Sequence, residues 1–327
     1  MLYSLPFGAA MVLLGNMTLS RYVLALCLSF AIGPLLMRTL ALLGALPQVN
    51  YKIQALEKAL DRPPLKCGEE AFCGEDHSIT FDQVRFAYKS DEVLKGVSFT
   101  AYEGKMTALV GESGSGKSTI ARLLSHYYDV SAGKICIGGQ NLRDMSLDAL
   151  SGEVAYVSQE LFLFNKSILE NIRVGRPDAS DEEVKAAARK AQCEDFILQL
   201  PQGYDTPAGL AGSKLSGGQR QRIAFARVLL KDAPIIVLDE ATAFIDPENE
   251  QKMNEAIAGI IRNKTVLVIA HKLKSIVTAD KIVVLRQGKI AAQGTHAELM
   301  RTSEDYRRLW SASEESRGWM LKGGESV

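Results

Sequence analysis

At 327 residues the chain has the length of roughly two domains. Its 38 Lys and Arg balance 38 Asp and Glu for a formal net charge of zero, which argues against the basic face of a nucleic-acid binder, so no nucleic-acid partner is expected. The five cysteines, Cys27, Cys67, Cys73, Cys136 and Cys193, fall in no metal-ligand spacing, and an odd, scattered set fits a reducing compartment.

Charge is absent where the chain begins. Residues 1–51 contain only Arg21 and Arg38. A signal peptide is disfavoured because no Lys or Arg precedes the apolar run and a second apolar stretch follows at once. A pair of buried soluble helices is disfavoured because no polar face is present. The pattern predicts an all-α transmembrane hairpin. Its first helix runs to Leu14, Gly15-Asn16-Met17-Thr18 turns, and the second runs from Ser20 to beyond Leu46. At 1.5 Å per residue, Tyr22 to Tyr51 spans about 45 Å, longer than a bilayer core of ~30 Å. The second helix is therefore expected to project into the cytoplasm, with Arg38 and Lys52 near or beyond the inner face. Gly33-Pro34 is an expected kink. Val49 to Leu60 keeps helical spacing, Asp61-Arg62-Pro63-Pro64 stops it, and residues 61–77 read as a linker.

From Ser78 the pattern changes to short strands: Ile79-Thr80-Phe81, Val84 to Tyr88 and Val97 to Ala101. A buried strand, Met106 to Val110, leads into Gly111-Glu112-Ser113-Gly114-Ser115-Gly116-Lys117-Ser118. Glycines there let successive backbone N–H groups wrap phosphate oxygens without obstruction. Lys117 offers charge to the β- and γ-phosphates, the Ser118 hydroxyl a ligand for Mg²⁺, and a helix from Thr119 to about Tyr127 its positive N-terminus.

Further along, Gln159 follows the strand Val154 to Ser158. Ser180-Asp181-Glu182-Glu183 is a capping box that opens a helix to about Leu200. Leu215-Ser216-Gly217-Gly218-Gln219 is both a capping box and a glycine-bearing helix start, with the helix running from Gln221 to Leu230. Ile235 to Leu238 is an apolar run of the kind buried in a central parallel strand. Asp239 ends it, where α/β sheets present ligands, and is placed to hold Mg²⁺ through water. Glu240 is placed to orient or activate an attacking water. His271 follows another buried strand, Thr265 to Ala270, and Asp280 to Trp310 alternates strand and helix.

These motifs, in this order, resemble an ABC transporter half of the exporter type, in which membrane and ATPase domains share a chain. The resemblance covers about Ile79 to Trp310 and extends to the Gly203–Arg222 stretch. It implies an α/β P-loop NTPase of the ABC type with a mixed sheet and a helical subdomain, with ATP and Mg²⁺ as cofactors. By this resemblance Tyr88 stacks on adenine. Gln159 touches Mg²⁺ and senses the membrane domain. His271 contacts the γ-phosphate and holds the attacking water. Ser216, Gly217, Gly218 and Gln219 contact the γ-phosphate held by a second subunit's phosphate loop. The implied partners are a second half-transporter or a copy of this chain in an ATP sandwich, the lipid membrane, and a transported substrate of unspecified identity.

On this reading residues 1–60 are a partial transmembrane domain, 78–312 the ATP-binding domain and 313–327 a tail. The protein is expected to be multi-pass in the inner or plasma membrane with its ATPase domain cytoplasmic, coupling ATP hydrolysis to transport, with export as the first reading. An importer of the same shape, a transport-incompetent ATPase fragment and a soluble ATPase acting on DNA or ribosomes are the alternatives. Three departures from the family stand out. Leu210 occupies the place of an acidic residue that faces the membrane domain. The segment after Glu240 reads Ala243-Phe244-Ile245-Asp246. And the two apolar helices resemble the fifth and sixth of six, so four more are expected in a longer protein or in another chain.

Overall fold

The computed structural model describes residues 4–60, 65, 67–239, 263–270 and 273–322. The chain forms two units, Met1–Pro64 and Leu65–Val327.

The first unit is a helical hairpin. Helix α1 (Ser4–Leu13) and helix α2 (Leu19–Leu60) are joined at Gly15, whose φ of 74° suits glycine. The Tyr22 hydroxyl donates to the Leu5 carbonyl at 2.9 Å, and its ring lies so close to Gly8 that a Cβ there would stand 2.1 Å from it. Leu19–Leu42 is long and apolar enough to cross a membrane, whereas the ten residues of α1 are about 15 Å long. Among the described residues only α2 reaches spanning length. It runs as one helix through Gly33-Pro34. Among its described residues the apolar side chains are largely exposed, Val23, Leu28, Phe30, Leu36 and Leu40 among them, a pattern that suits an apolar surrounding of lipid or of further helices. The hydroxyls of Ser29 and Thr39 donate to the carbonyls of Ala25 and Leu35, four residues back, so neither needs water.

The second unit holds two sheets. Strands β1 (Ile79–Tyr88), β2 (Asp91–Ala101), β4 (Ala132–Ile137) and β5 (Gln140–Asn141) form an antiparallel sheet in the order β2-β1-β4-β5. Strands β3 (Met106–Gly111), β6 (Val154–Val157), β7 (Ile235–Asp239), β8 (Thr265–Ile269), β9 (Lys281–Arg286) and β10 (Lys289–Gly294) form the central sheet, ordered β10-β9-β3-β8-β7-β6. Among the described strands of this sheet only β10 runs antiparallel to its neighbour; the others are parallel. The five residues of β7 are all buried, as a strand covered on both faces must be.

Helix α3 (Lys117–Leu124) follows β3, and its apolar Ile120, Leu123 and Leu124 join the antiparallel sheet's Phe81, Leu94 and Phe99 in one core. Helix α4 (Leu147–Glu153) leads into β6. Helices α5 (Ile168–Arg173), α6 (Asp181–Lys190), α7 (Glu194–Leu198) and α8 (Gly217–Lys231) build a second core around Val184, Ile197, Ile223 and Phe225. Helices α9 (His296–Thr302) and α10 (Glu304–Lys322) close the unit, with Tyr306 and Leu299 packed under β9 and β3.

Some expected boundaries move. Helix α3 ends at Leu124, earlier than Tyr127, because His126 takes up φ 53° and turns the chain. The helix opened by Ser180 does not reach Leu200. Gln192 at φ 56° ends α6, and the Cys193 amide donates to the Ala188 carbonyl at 2.8 Å, an αL cap that frees α7 to pack Phe196 and Ile197 inward. Helix α8 begins at Gly217, four residues earlier than Gln221. The stretch before β1 is tied down from Glu70 onward: its backbone bonds to Asp144 and Ser146, the Cys73 amide donates to Gln140 Oε1 at 2.8 Å, and the His77 carbonyl accepts from Thr265 Oγ1 at 2.8 Å.

Candidate nucleotide site

The site forms at the C-terminal end of the central sheet. In register, Leu109 of β3 and Asp239 of β7 both pair with Ile269 of the intervening β8, so the start of the glycine loop and the carboxylate lie level with each other. Gly111 and Gly116 take φ of 153° and 105°. A Cβ on Gly111 would stand 2.2 Å from the Leu285 carbonyl, so only glycine lets the loop leave β3 against β9. Gly114, at φ 77°, has open space around its Cα, which leaves the backbone approachable.

Lys117 is buried at the start of α3. Its ammonium donates to the carbonyls of Gly111 (2.8 Å) and Glu112 (2.9 Å), which holds a positive charge inside the loop it follows. Ser113 is exposed, and Ser115 and Thr119 are buried. The Ser118 hydroxyl donates to Asp239 Oδ1 at 3.1 Å. Asp239 is only 2% exposed, and its second oxygen accepts from the Tyr156 hydroxyl at 3.0 Å. Burial and then the neighbouring Asp239 charge push the Tyr156 phenol well above the ordinary tyrosine range, so it stays a donor at any physiological pH. Tyr156 is a site residue that motif spacing does not single out. Its one signal is a hydroxyl inside an otherwise apolar strand, which requires a partner when buried.

Tyr88 is half-buried in an aromatic cluster, edge-on to Phe86 (4.8 Å) and Tyr128 (5.1 Å). Its phenol lies by Arg122, whose guanidinium is held above its usual pKa first by Tyr88 and also by Tyr156 and Tyr128. Gln159 is exposed just after β6.

Ser216, Gly217, Gly218 and Gln219 begin α8 in a complete capping box: Ser216 N–H donates to Gln219 Oε1 at 2.9 Å and Gln219 N–H to Ser216 Oγ at 3.2 Å. Among the described residues none of their hydrogen bonds reaches Gly111–Ser118. Before them, Leu210 sits on a short 3₁₀ turn and is 78% exposed. Glu240, His271 and Ala243-Phe244-Ile245-Asp246 lie outside the described residues.

The arrangement is a backbone cradle with a buried cation, beside a hydroxyl and a carboxylate that together offer hard oxygen ligands. That donor set suits Mg²⁺ and the phosphates of a nucleotide.

Comparison with known proteins agrees. A profile described as ABC transporter matches residues 94–243. The mycobactin import ATP-binding/permease protein IrtA of Mycobacterium tuberculosis is 46% identical over 280 residues, covering 84% of this chain and 32% of the relative. The ATP-dependent lipid A-core flippase of Haemophilus ducreyi is 48% identical over 236 residues, covering 71% of this chain and 40% of the relative. The solved structure of a bacterial Atm1-family ABC exporter with ATP bound superposes with a TM-score of 0.75 at 40% identity, over 81% of this chain and 47% of the exporter. The chain thus spans a third to a half of the length of the proteins it matches. Residues 94–243 carry the ABC transporter domain, and an apolar helix of membrane-spanning length, Leu19–Leu42, precedes it in the chain.

Proposed function

We propose that this chain is the ATPase-bearing part of a membrane transporter that binds Mg·ATP at the glycine loop and hydrolyses it to drive movement of a substrate across the membrane. The observation that supports it most is the contact between Ser118 and Asp239, which joins the phosphate loop to the end of β7. In this reading the backbone of Gly111, Ser113, Gly114 and Gly116, with Lys117 and Thr119, holds the phosphate chain. Ser118, Asp239 and Gln159 hold Mg²⁺, which when bound neutralises phosphate charge. Tyr88 supports the base. Glu240 orients the attacking water, assisted by His271. Ser216, Gly217, Gly218 and Gln219 serve the ATP of a second ATPase domain, either another half-transporter or a copy of this chain. That role suits the absence, among the described residues, of any hydrogen bond from them to this chain's own loop. Two ATPs sandwiched between two such domains close the pair, and closure switches the membrane part between inward- and outward-facing states. The span Leu19–Leu42 anchors the chain in the cell's inner or plasma membrane with the ATPase unit in the cytoplasm.

Residues 1–60 belong to the membrane domain, 61–77 connect it, 78–312 form the ATPase domain and 313–327 the tail. Export is the direction stated for the Atm1-family exporter, the solved structure whose fold this chain shares. Import of a siderophore is a second reading, favoured by one observation. The 280-residue match to the mycobactin importer is longer than the Leu65–Val327 unit and so enters α2, whereas the flippase match of 236 residues fits inside that unit.

Phosphate release by the full chain in lipid nanodiscs with Mg·ATP tests the proposal. Lys117→Ala removes a charge-assisted contact of about 1.5–3 kcal/mol, so nucleotide affinity should fall by about 10- to 100-fold and turnover with it. Turnover and binding at the parent level in that variant would overturn the assignment.

A further inference from the structure

We propose that Tyr156 is a positioning residue for the metal site: by holding one oxygen of Asp239, it dictates which oxygen the carboxylate presents to Ser118 and to the metal. The inference rests on the reading of Asp239 as a ligand of Mg²⁺.

The geometry is specific. Strands β6 and β7 are parallel, with Tyr156 level with Val237, so the tyrosine side chain reaches forward along the sheet to the residue that ends β7. Its hydroxyl donates to Oδ2 at 3.0 Å while Ser118 Oγ takes Oδ1 at 3.1 Å, so the two donors divide the carboxylate between them. Asp239 is buried to 2% exposure, which leaves little room for water to replace either donor. A buried carboxylate with one donor removed is free to turn about its terminal torsion, which is broad and two-fold. With the phenol on Oδ2, Oδ1 is the oxygen that stays turned toward the start of α3. The ring also packs edge-on against Tyr127, in the turn that follows α3, with centroids 6.0 Å apart. Groups bonded to a metal's ligand orient it in this way, and losing one typically weakens metal affinity by about 10- to 100-fold.

The test uses the full chain in detergent, with Mn²⁺ as the probe metal and ADP as the nucleotide. Mn²⁺ affinity is read by electron paramagnetic resonance, and ADP affinity is read separately in EDTA. Tyr156→Phe should weaken Mn²⁺ binding about tenfold and leave metal-free ADP binding unchanged. Asp239→Asn, measured in parallel, should weaken it at least as much. If Asp239→Asn loses Mn²⁺ and Tyr156→Phe does not, the positioning role is wrong and the ligand assignment stands. If Asp239→Asn binds Mn²⁺ normally, the ligand assignment itself fails, and the inference with it. An equal loss of metal-free ADP binding in Tyr156→Phe means that the hydroxyl merely supports the fold, which also overturns the proposal. Should the phenylalanine variant fail to fold, 3-fluorotyrosine at position 156 keeps the hydroxyl. Its ¹⁹F resonance must move on addition of Mg²⁺ with ADP and stay in place with ADP in EDTA; a resonance indifferent to Mg²⁺ overturns the proposal.

Discussion

Ser118 and Asp239, 121 residues apart in sequence, meet through a 3.1 Å hydrogen bond from the serine hydroxyl to the carboxylate. The bond spans the gap between the helix after β3 and the end of β7, two strands separated in the sheet by β8. It exists because all three strands are parallel and present their C-terminal ends on one side. Asp239→Asn keeps the shape of this carboxylate but removes its charge and leaves one acceptor oxygen for two donors. Mg²⁺-dependent phosphate release should fall by at least about 100-fold, as when a group stabilising transferring phosphate is lost. The melting temperature should stay near that of the parent, because the amide oxygen still accepts from Ser118 or Tyr156. Near-parental turnover would place the metal elsewhere.

Glu240 follows Asp239 directly in the sequence, so the carboxylate proposed for the metal and the group proposed for the water are chain neighbours. Glu240→Gln removes the basic oxygen and keeps the size. The variant should bind Mg·ATP, hydrolyse it at a small fraction of the parent rate and accumulate as a dimer, because in the proposed cycle closure needs ATP and reopening needs its hydrolysis. Light scattering on the eluted species, with and without ATP, checks this; a variant that turns over like the parent removes Glu240 from the mechanism.

The loop, the strand ends and the capping boxes are legible in the sequence because each is a local rule. Glycine at positive φ, an apolar run closed by an acid, and Ser-x-x-Glu or Ser-x-x-Gln each need only a few neighbouring residues. What escapes is set by partners far along the chain. Tyr156 lies in an apolar run that reads only as buried, and its hydroxyl finds Asp239 through the β6–β7 register, a separation of 83 residues. The break at Gln192 is equally hidden. Glutamine has no local preference for φ 56°, and the turn is imposed by burying Cys193 and Ile197 among the helices. The acidic, glycine-bearing stretch before β1 reads as a free linker, yet Asp144, Gln140 and Thr265 hold it, all at long range.

The segment after Gln159 is held to α8 by Asn171, which is fully buried. Its Oδ1 accepts from the Phe164 amide and from Arg227 Nη2, both at 2.8 Å, and its Nδ2 donates to the carbonyls of Phe164, Lys166 and Ser167. Arg227 adds bonds to the Asn171 and Phe162 carbonyls, so its partners among the described residues are uncharged, and burial brings its pKa down to about 10. Asn171→Ala should cost about 3 kcal/mol, since it strands several buried groups at once. Arg227→Ala should show a coupling with it of about 1–2 kcal/mol in a double-mutant cycle by chemical denaturation. Strictly additive losses would mean that the two side chains act separately.

The capping box at α6 carries a pH dependence with a definite sign. The Ser180 amide donates to Glu183 Oε2 at 2.8 Å and the Ser180 hydroxyl at 3.0 Å, and Arg176 pairs with the same carboxylate. These bonds, led by the backbone one, hold the Glu183 carboxyl below its ordinary range. A carboxylate depressed in the folded state stabilises it fully above the unfolded value of about 4.3, and that contribution disappears as pH falls through the folded value. Glu183→Gln keeps an acceptor for the Ser180 amide but cannot titrate. Below about pH 4 the parent's melting temperature should therefore fall more steeply than the variant's, with the two curves parallel above about pH 6. Melting curves of equal slope across the acid range would show that the box holds α6 by geometry alone.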